Sequence, residues 1–138
     1  PHRWEFRHDH IGFNYRMPNI NAALGCAQLE NLDKYIASKR AVAAEYIEHF
    51  KNVDGIDFFV EPENTFSNYW LSAVVLKDKE AQLDFLQQTN DNGVMTRPIW
   101  ELMNRLPMFE NCENDGLGNT IWFADRVVNI PSSVRLNN

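Results

Sequence analysis

The sequence predicts an α/β fold, in the form of a small α+β domain in which one long helix precedes a small sheet covered by helices. Apolar residues recur at helical spacing over residues 18–50, and beyond Gly55 short strand-like runs alternate with helical segments. The 138 residues, 44% of them hydrophobic, suffice for one domain with a buried core. The helices and the sheet are therefore expected to pack as one layered unit.

The first half of the chain predicts a lead-in and a helix. Residues 1–17 mix aromatic, basic and histidine side chains without a sustained period, which indicates irregular structure. Residues 18–50 then predict one continuous helix, and Pro18 suits its first turn because the missing N–H is not needed there. At ~1.5 Å per residue this helix would be roughly 50 Å long. Part of it is expected to pack on structure outside this chain.

The second half predicts short strands and helices bounded by turn residues. Trp70 is assigned to a buried position in the second strand, because it opens a run of apolar residues. The predicted strands are residues 57–60, 69–76, 94–99 and 127–130. The predicted helices are residues 80–88 and 119–126, with a loop rich in turn residues over 110–118.

Charge and composition exclude several classes of protein. A formal charge of −6 and a pI near 5.1 leave no basic field to hold nucleic acid or an anionic membrane surface. The sequence contains no run of ~18 apolar residues that would predict a membrane span. Two cysteines without a disulfide framework are typical of a cytoplasmic protein. The start at Pro1, without an initiator methionine, favours a chain trimmed from a longer one.

Histidines near the start of the chain are the candidates for metal ligands. His2, His8 and His10 lie close to Asp9, and a His-x-His pair beside a carboxylate could ligate zinc. A closed zinc site needs four ligands, and no further Cys/His pair lies nearby, so a polar interface loop without metal is the favoured interpretation. The sequence also lacks a Gly-x-Ser-x-Gly turn, a cysteine next to a histidine, and a glycine-rich phosphate loop.

Residues 12–29 combine anion-binding donors with the start of a helix. They read Gly-Phe-Asn-Tyr-Arg-Met-Pro-Asn-Ile-Asn-Ala-Ala-Leu-Gly-Cys-Ala-Gln-Leu. Asn14 and Arg16 offer hydrogen-bond donors beside the helix N-terminus, which itself attracts an anion such as phosphate. The alternative is that both residues only cap the helix. Gly25 costs ~1 kcal/mol relative to alanine inside a helix, which indicates close approach by another backbone or a partner.

This stretch resembles the signature of the DegT/DnrJ/EryC1/StrS family of sugar aminotransferases, which use pyridoxal 5′-phosphate on the fold-type I scaffold. The resemblance covers essentially the whole chain, although Pro18 stands where many members have serine. It implies that residues 1–17 end the large cofactor-binding domain and that residues 18–138 form the long helix and the C-terminal small domain. It also implies a homodimer in which Asn14 reaches the cofactor phosphate of the partner subunit, with Arg16 as a supporting donor.

The resemblance also implies what these residues lack. The family's Schiff-base lysine lies upstream, in a Ser-x-x-x-x-Lys stretch that nothing in this sequence resembles. The chain by itself is therefore expected to hold no catalytic residue and to be inactive in transamination. Its five lysines are predicted to be solvated surface residues: Lys34, Lys39, Lys51, Lys77 and Lys79.

Residues 96–109 restrict the resemblance to one branch of this family. They look like the family branch that aminates UDP-linked 4-keto-6-deoxy-N-acetylhexosamines on routes to bacillosamine or legionaminic acid, where this loop lies near the nucleotide sugar. Arg97 suits a diphosphate, because its planar fork pairs bidentately with phosphate oxygens. Trp100 offers a flat face to a sugar or base, and the alternative is that it fills the core. Asn104 stands where relatives often carry histidine, which leaves a polar role of that position open.

The sequence thus predicts part of an aminotransferase that moves an amino group, by family usage from glutamate, to a 4-keto-6-deoxy sugar nucleotide. Two alternatives stay open. One is a sugar dehydratase of the same family, in which histidine replaces the upstream lysine. The other is a non-catalytic interaction or regulatory module with the same fold. The residue at the upstream Schiff-base position separates the three.

Overall fold

A computed structural model of the chain describes residues 4, 7, 9–13 and 16–135. Helices and short strands alternate along it after an initial pair of helices. The helices are α1 (Asn19–Leu29), α2 (Leu32–Phe50), α3 (Lys79–Asp91) and α4 (Gly118–Ala124), with a 3₁₀ helix over Met103–Arg105. The strands are β1 (Ile56–Phe58), β2 (Ser72–Leu76), β3 (Arg97–Pro98) and β4 (Val127–Ile130).

In the described part of the chain, the four strands form one antiparallel sheet in the order β1-β2-β4-β3. Val74 of β2 lies opposite Phe58 of β1 and opposite Val128 of β4. At the far edge, Arg97 of β3 lies opposite Asn129 of β4. The predicted fold class, a small sheet covered by helices that follow a helical N-terminal part, is confirmed.

The hydrophobic core lies between one face of the sheet and helices α2 and α3. Along β2, buried residues alternate with half-buried ones, as expected for a strand with one face packed against helices. Helix α3 contributes Leu86, which is only 1% exposed, and burial of such a side chain stabilises the fold by about 1.5–3 kcal/mol. The core residues are Val74, Leu76, Leu86, Val128 and Ile130, with Tyr46 and Phe50 of α2 packed against them.

The prediction of one continuous helix over residues 18–50 is wrong, because the helix breaks at Glu30 and Asn31. The side-chain amide of Asn31 donates to the carbonyl of Ala27, 3.2 Å away. In an unbroken helix that carbonyl would accept from the backbone N–H of Asn31, which donates instead to Gln28. Competition of an asparagine side chain for a helical carbonyl thus ends α1 and lets α2 restart at Leu32.

The second strand is shorter than predicted, and the assignment of Trp70 as a buried strand residue is wrong. Trp70 precedes β2 and is 65% exposed. Its N–H donates to Oδ1 of Asn68, and the N–H of Tyr69 donates to Oγ of Ser67, so two side chains build a turn. Tyr69 also has a φ of 45°, in the left-handed region. The chain therefore turns here and becomes a strand only at Ser72.

The third strand covers only two of the residues predicted for it, 94–99. Gly93, two residues after the end of α3, has a φ of 80°, a conformation that glycine adopts without strain. The N–H of Val94 then donates to the carbonyl of Thr89, 2.8 Å away. Residues 94–96 are thus held to the end of α3, and the ladder with β4 begins at Arg97.

The prediction that all five lysines are solvated is wrong for Lys39. Its Nζ donates to the carbonyl of Trp70 at 3.1 Å and to that of Ser132 at 2.5 Å. Desolvation by burial lowers the pKa of this amine. Lys39 lies four residues before Ala43, which is buried, so the helical period already placed it on the packed face of α2.

An ion pair holds the loop between β1 and β2 against α2. Both guanidinium nitrogens of Arg40 donate to the carboxylate of Glu61, at 2.6 and 2.9 Å. The carboxylate also accepts from the N–H of Ser67, and the guanidinium lies 4.2 Å from the centroid of the Phe66 ring. The hydrogen bonds from Arg40 and from the Ser67 backbone lower the pKa of Glu61 from 4.5 to about 2.

Glu61 should therefore make the stability of the fold depend on pH in acid. Because its pKa is lower in the folded than in the unfolded state, its stabilising contribution is present above pH 4.5 and is lost as the pH falls towards about 2. We expect Glu61→Gln to flatten the fall of the melting temperature across this window, measured by circular dichroism. Glu63→Gln, at an exposed neighbouring position, is the control and should follow the parent curve. Parallel curves for parent and Glu61→Gln would contradict the prediction.

Candidate functional site

A groove of about 290 Å³ lies at the edge of the sheet where β3 pairs with β4. Arg97 and Asn129 occupy opposing positions on these strands, on the face away from the buried Val128. The chain after β3 forms a second wall, which includes Trp100. The side-chain amide of Asn129 donates to the carbonyl of Pro98 at 3.4 Å and links the two strands at the floor of the groove.

Cationic side chains dominate this groove. Of its five ionisable lining residues, one is the carboxylate Glu101 and the others are basic: Arg7, Lys79, Arg97 and Arg105. The protein as a whole carries a net charge of −6. A concentration of positive charge on an acidic protein favours an anionic ligand at this place.

The two substrate-binding residues predicted from the sequence, Arg97 and Trp100, both line the groove. Arg97 is exposed, and its Nη2 lies 3.4 Å from Sδ of Met95. Trp100 is 65% exposed, so it does not fill the core. An exposed indole face beside a guanidinium can meet a flat or ring-shaped ligand whose phosphates the arginine binds.

Arg105 and Lys79 are groove residues that the sequence analysis missed. Arg105 follows Glu101 by four residues, and its Nη1 lies 3.5 Å from Oε1 of that carboxylate. Its backbone carbonyl accepts a hydrogen bond of 3.0 Å from Arg7. Nζ of Lys79 donates to Oε1 of Gln82 at 2.7 Å. Both side chains raise the positive electrostatic potential of the groove. Neither belongs to a sequence motif from which this role could have been predicted.

Of the two predicted cofactor-binding residues, the structure describes only Arg16, which lies apart from this groove. Asn14 is outside the described residues. Arg16 is exposed, does not line the groove, and lies two residues before Pro18, which precedes α1 without a side-chain cap. A guanidinium beside an uncapped helix N-terminus has the donor chemistry that suits a phosphate. The structure thus brings Arg97 and Trp100 together and leaves Arg16 at a different place.

Neither a metal-binding cluster nor a membrane-spanning helix is found in the described part of the chain. Within residues 4, 7, 9–13 and 16–135, no group of three or more His, Cys, Asp or Glu side chains is arranged to hold a metal ion. His10 pairs with Asp9 at 2.8 Å in an exposed position, while His2 and His8 lie outside the described residues. In the same part of the chain, no helix combines the length and the apolar character needed to cross a membrane.

Comparison with known proteins gives consistent matches. The profile of the DegT/DnrJ/EryC1/StrS aminotransferase family matches residues 2–138. GDP-perosamine synthase of Escherichia coli O157:H7 is 31% identical over 135 residues, which cover 97% of this chain and 36% of the synthase. The chain spans about a third of the length of such curated relatives.

Solved structures share the fold. PseC of Helicobacter pylori, an aminotransferase involved in the biosynthesis of pseudoaminic acid, superposes with a TM-score of 0.79 at 17% identity, over 99% of this chain and 38% of PseC. GDP-4-keto-6-deoxy-D-mannose-3-dehydratase of E. coli, solved with bound hydrated pyridoxal phosphate, superposes with a TM-score of 0.62 at 17% identity, over 88% and 33% of the two chains. At these identities the matches establish the fold, and the profile match over almost the whole length establishes membership. The chain belongs to the DegT/DnrJ/EryC1/StrS aminotransferase family.

Proposed function

We propose that this chain is part of a pyridoxal phosphate-dependent enzyme that transfers an amino group from glutamate to a 4-keto-6-deoxy sugar nucleotide. The observation that carries the proposal is the groove, in which Arg97 and Trp100 lie among further cationic side chains. A sugar nucleotide combines a diphosphate with a flat base and sugar rings. The cationic side chains of the groove suit the diphosphate, and the indole face of Trp100 suits the base or a sugar ring. We also propose that this enzyme is a homodimer and that it is located in the cytoplasm.

Arg97 would bind the diphosphate through its planar fork, and Trp100 would contact the base or the sugar. Arg105 and Lys79 would strengthen binding through the local potential. The UDP-linked substrate rests on the resemblance of residues 96–109 to the branch described above. The relative from E. coli O157:H7 is named for a GDP-linked product, so the test compares nucleotides.

Pyridoxal phosphate, when bound, carries the amino group between the two substrates and acts as the electron sink. Arg16 beside the N-terminus of α1 would contribute to holding the cofactor phosphate, and we propose the same role for Asn14 across the dimer interface. The proton-transferring lysine would lie in another part of the polypeptide. This chain's role is then to bind and orient the sugar nucleotide, while the reacting groups come from elsewhere.

The experiment uses the full-length protein that contains this chain. We expect incubation with pyridoxal phosphate, glutamate and UDP-, GDP- or dTDP-linked 4-keto-6-deoxy sugars to yield an amino sugar nucleotide and 2-oxoglutarate, followed by mass spectrometry. A product that has lost water and gained no nitrogen would identify the dehydratase alternative instead. Binding of neither cofactor nor sugar nucleotide would identify a non-catalytic module. Residues 1–138 alone are the control and should form no product.

A further inference from the structure

We propose that Thr96, Asn90 and Thr89 form a positioning network that aims Arg97 at the diphosphate of the sugar nucleotide. The inference rests on the function proposed above and extends it to residues that do not line the groove. Thr96 is 1% exposed and Asn90 is 8% exposed, so both polar side chains are buried and must be hydrogen-bonded within the protein.

The strand that carries Arg97 is held weakly by the sheet itself. β3 consists of Arg97 and Pro98, and proline has no N–H to donate to the ladder. It is also an edge strand, because among the strands that the structure describes it pairs with β4 alone. Residues 94–96 precede the ladder and approach it from the end of α3. Contacts from the α3 side therefore help to fix the direction of the backbone at Arg97, in addition to the short ladder with β4.

Asn90, near the C-terminal end of α3, supplies this fixation. Its Nδ2 lies 2.9 Å from Oγ1 of Thr96, 3.1 Å from the carbonyl oxygen of Thr96 and 2.8 Å from the carbonyl oxygen of Leu86 on its own helix, so its two protons are shared among three acceptors. The carbonyl of Thr96 belongs to the peptide group that joins Thr96 to Arg97. A hydrogen bond to this oxygen restricts the orientation of that peptide plane, and with it the backbone from which the Arg97 side chain leaves.

Thr89 fixes the Thr96 hydroxyl in one direction. Oγ1 of Thr89 lies 2.7 Å from the carbonyl of Phe85 and 2.6 Å from Oγ1 of Thr96. A hydroxyl has one proton, and a carbonyl can only accept, so Thr89 donates to Phe85 and Thr96 donates to Thr89. The Thr96 hydroxyl thus accepts from Asn90 and donates to Thr89, and its side-chain rotamer is locked.

Anchoring Thr96 to the helix face of the sheet sends the next side chain to the other face. Successive residues of an extended chain point to opposite sides. The groove lies on the face of β4 that carries Asn129, opposite the face on which Val128 packs with Leu86 of α3, and of α3 only its first residue, Lys79, reaches the groove. With Thr96 held towards α3, Arg97 points into the groove. The network therefore acts on substrate binding through the placement of one arginine.

The test uses the full-length protein and measures the dissociation constants of UDP and of GDP by calorimetry. Thr96→Val keeps the shape of the side chain but removes the hydroxyl, and we expect it to weaken binding of the preferred nucleotide about three- to tenfold. Thr96→Ser retains the hydroxyl and should bind nearly as well as the parent. Thr89→Ala removes one partner of the network and should weaken binding about twofold to fivefold, which keeps the test valid if Thr96→Val does not fold.

Two further readouts separate positioning from general stability. With the sugar nucleotide as varied substrate, Thr96→Val should raise KM and leave the half-reaction with glutamate unchanged. Leu76→Ala, a core substitution in β2, which β4 separates from β3, is the matched control. It should lower the melting temperature without changing the dissociation constant of the nucleotide.

Three results would overturn the inference. Parent-like nucleotide binding by Thr96→Val and Thr89→Ala, with only a lower melting temperature, would make the network purely structural. Equal binding defects in Thr96→Ser and Thr96→Val would show that the hydroxyl is not the cause. If Arg97→Ala also binds UDP and GDP like the parent, the proposed role of Arg97 fails as well. Weaker binding by Arg97→Ala together with parent-like Thr96→Val refutes the positioning network alone.

Discussion

Replacing Arg97 by alanine in the full-length protein should weaken binding of the sugar nucleotide about ten- to a hundredfold. A charge-assisted hydrogen bond contributes ~1.5–3 kcal/mol, and loss of a bidentate one should reach the upper part of that range. At ~1.4 kcal/mol per tenfold change, this range corresponds to the stated loss. Arg97→Lys should restore only part of the affinity, because an ammonium group is a point charge and cannot reproduce the planar fork.

The two half-reactions, measured separately, decide whether this loss reflects the diphosphate. Glutamate carries no diphosphate, so its half-reaction should be nearly unchanged in Arg97→Ala. Arg135→Ala removes an exposed arginine that pairs with Glu45 outside the groove, and it should leave both half-reactions unchanged. An equal loss in both half-reactions of Arg97→Ala would mean that Arg97 supports the fold or the cofactor instead.

Replacing Gln82 by leucine should lower the free energy of unfolding by about 2–4 kcal/mol. Gln82 is fully buried in α3, and its Nε2 donates to the carbonyls of Ala124 and Val127, each at 2.9 Å. These carbonyls lie at the end of α4 and the start of β4, so one side chain joins three elements. Leucine has a similar size but no donor, and each carbonyl left buried without a partner costs about 1–3 kcal/mol. The added apolar burial offsets part of this cost.

Urea unfolding followed by circular dichroism measures this effect. Gln87→Leu is the matched control, because Gln87 lies on the same helix in an exposed position and its side-chain amide donates to the carboxylate of Asp91 one turn further along. A surface substitution of this kind should change the free energy of unfolding by less than about 0.5 kcal/mol. Similar losses in the two variants would refute the special role assigned to Gln82.

Secondary-structure elements were predicted correctly where the residues at their ends determine the boundaries. Residues 127–130 were predicted as a strand, and β4 covers them, because a β-branched run ends at Pro131. The interruption between α1 and α2 could not be predicted from apolar periodicity, which continues across Asn31. A single hydrogen bond from its side chain to Ala27 decides that point. The early turn at Tyr69 likewise depends on bonds from Ser67 and Asn68 that outweigh the apolar run after them.

Of the candidate site, only the residues that lie together in one segment of the sequence could be predicted. Arg97 and Trp100 lie within a single motif and were identified together. Arg7, Lys79 and Arg105 come from separate parts of the chain and line one groove only in the folded structure. The spacing of these residues in the sequence does not predict that they line the same groove. The network behind Arg97 could not be predicted for a similar reason, since Asn90 lies near the end of a helix and Thr96 lies in the segment that precedes β3.

The short edges of the sheet limit how this chain can associate with others. An exposed edge strand offers a row of unpaired N–H and C=O groups that another chain can extend. Here one edge, β1, has three residues, and the other, β3, has two, of which Pro98 has no N–H. In the part of the chain that the structure describes, both edges are therefore too short to be good templates for strand addition. Exposed apolar side chains, such as Ile20 and Leu24 of α1, offer a contact surface that does not depend on strand pairing.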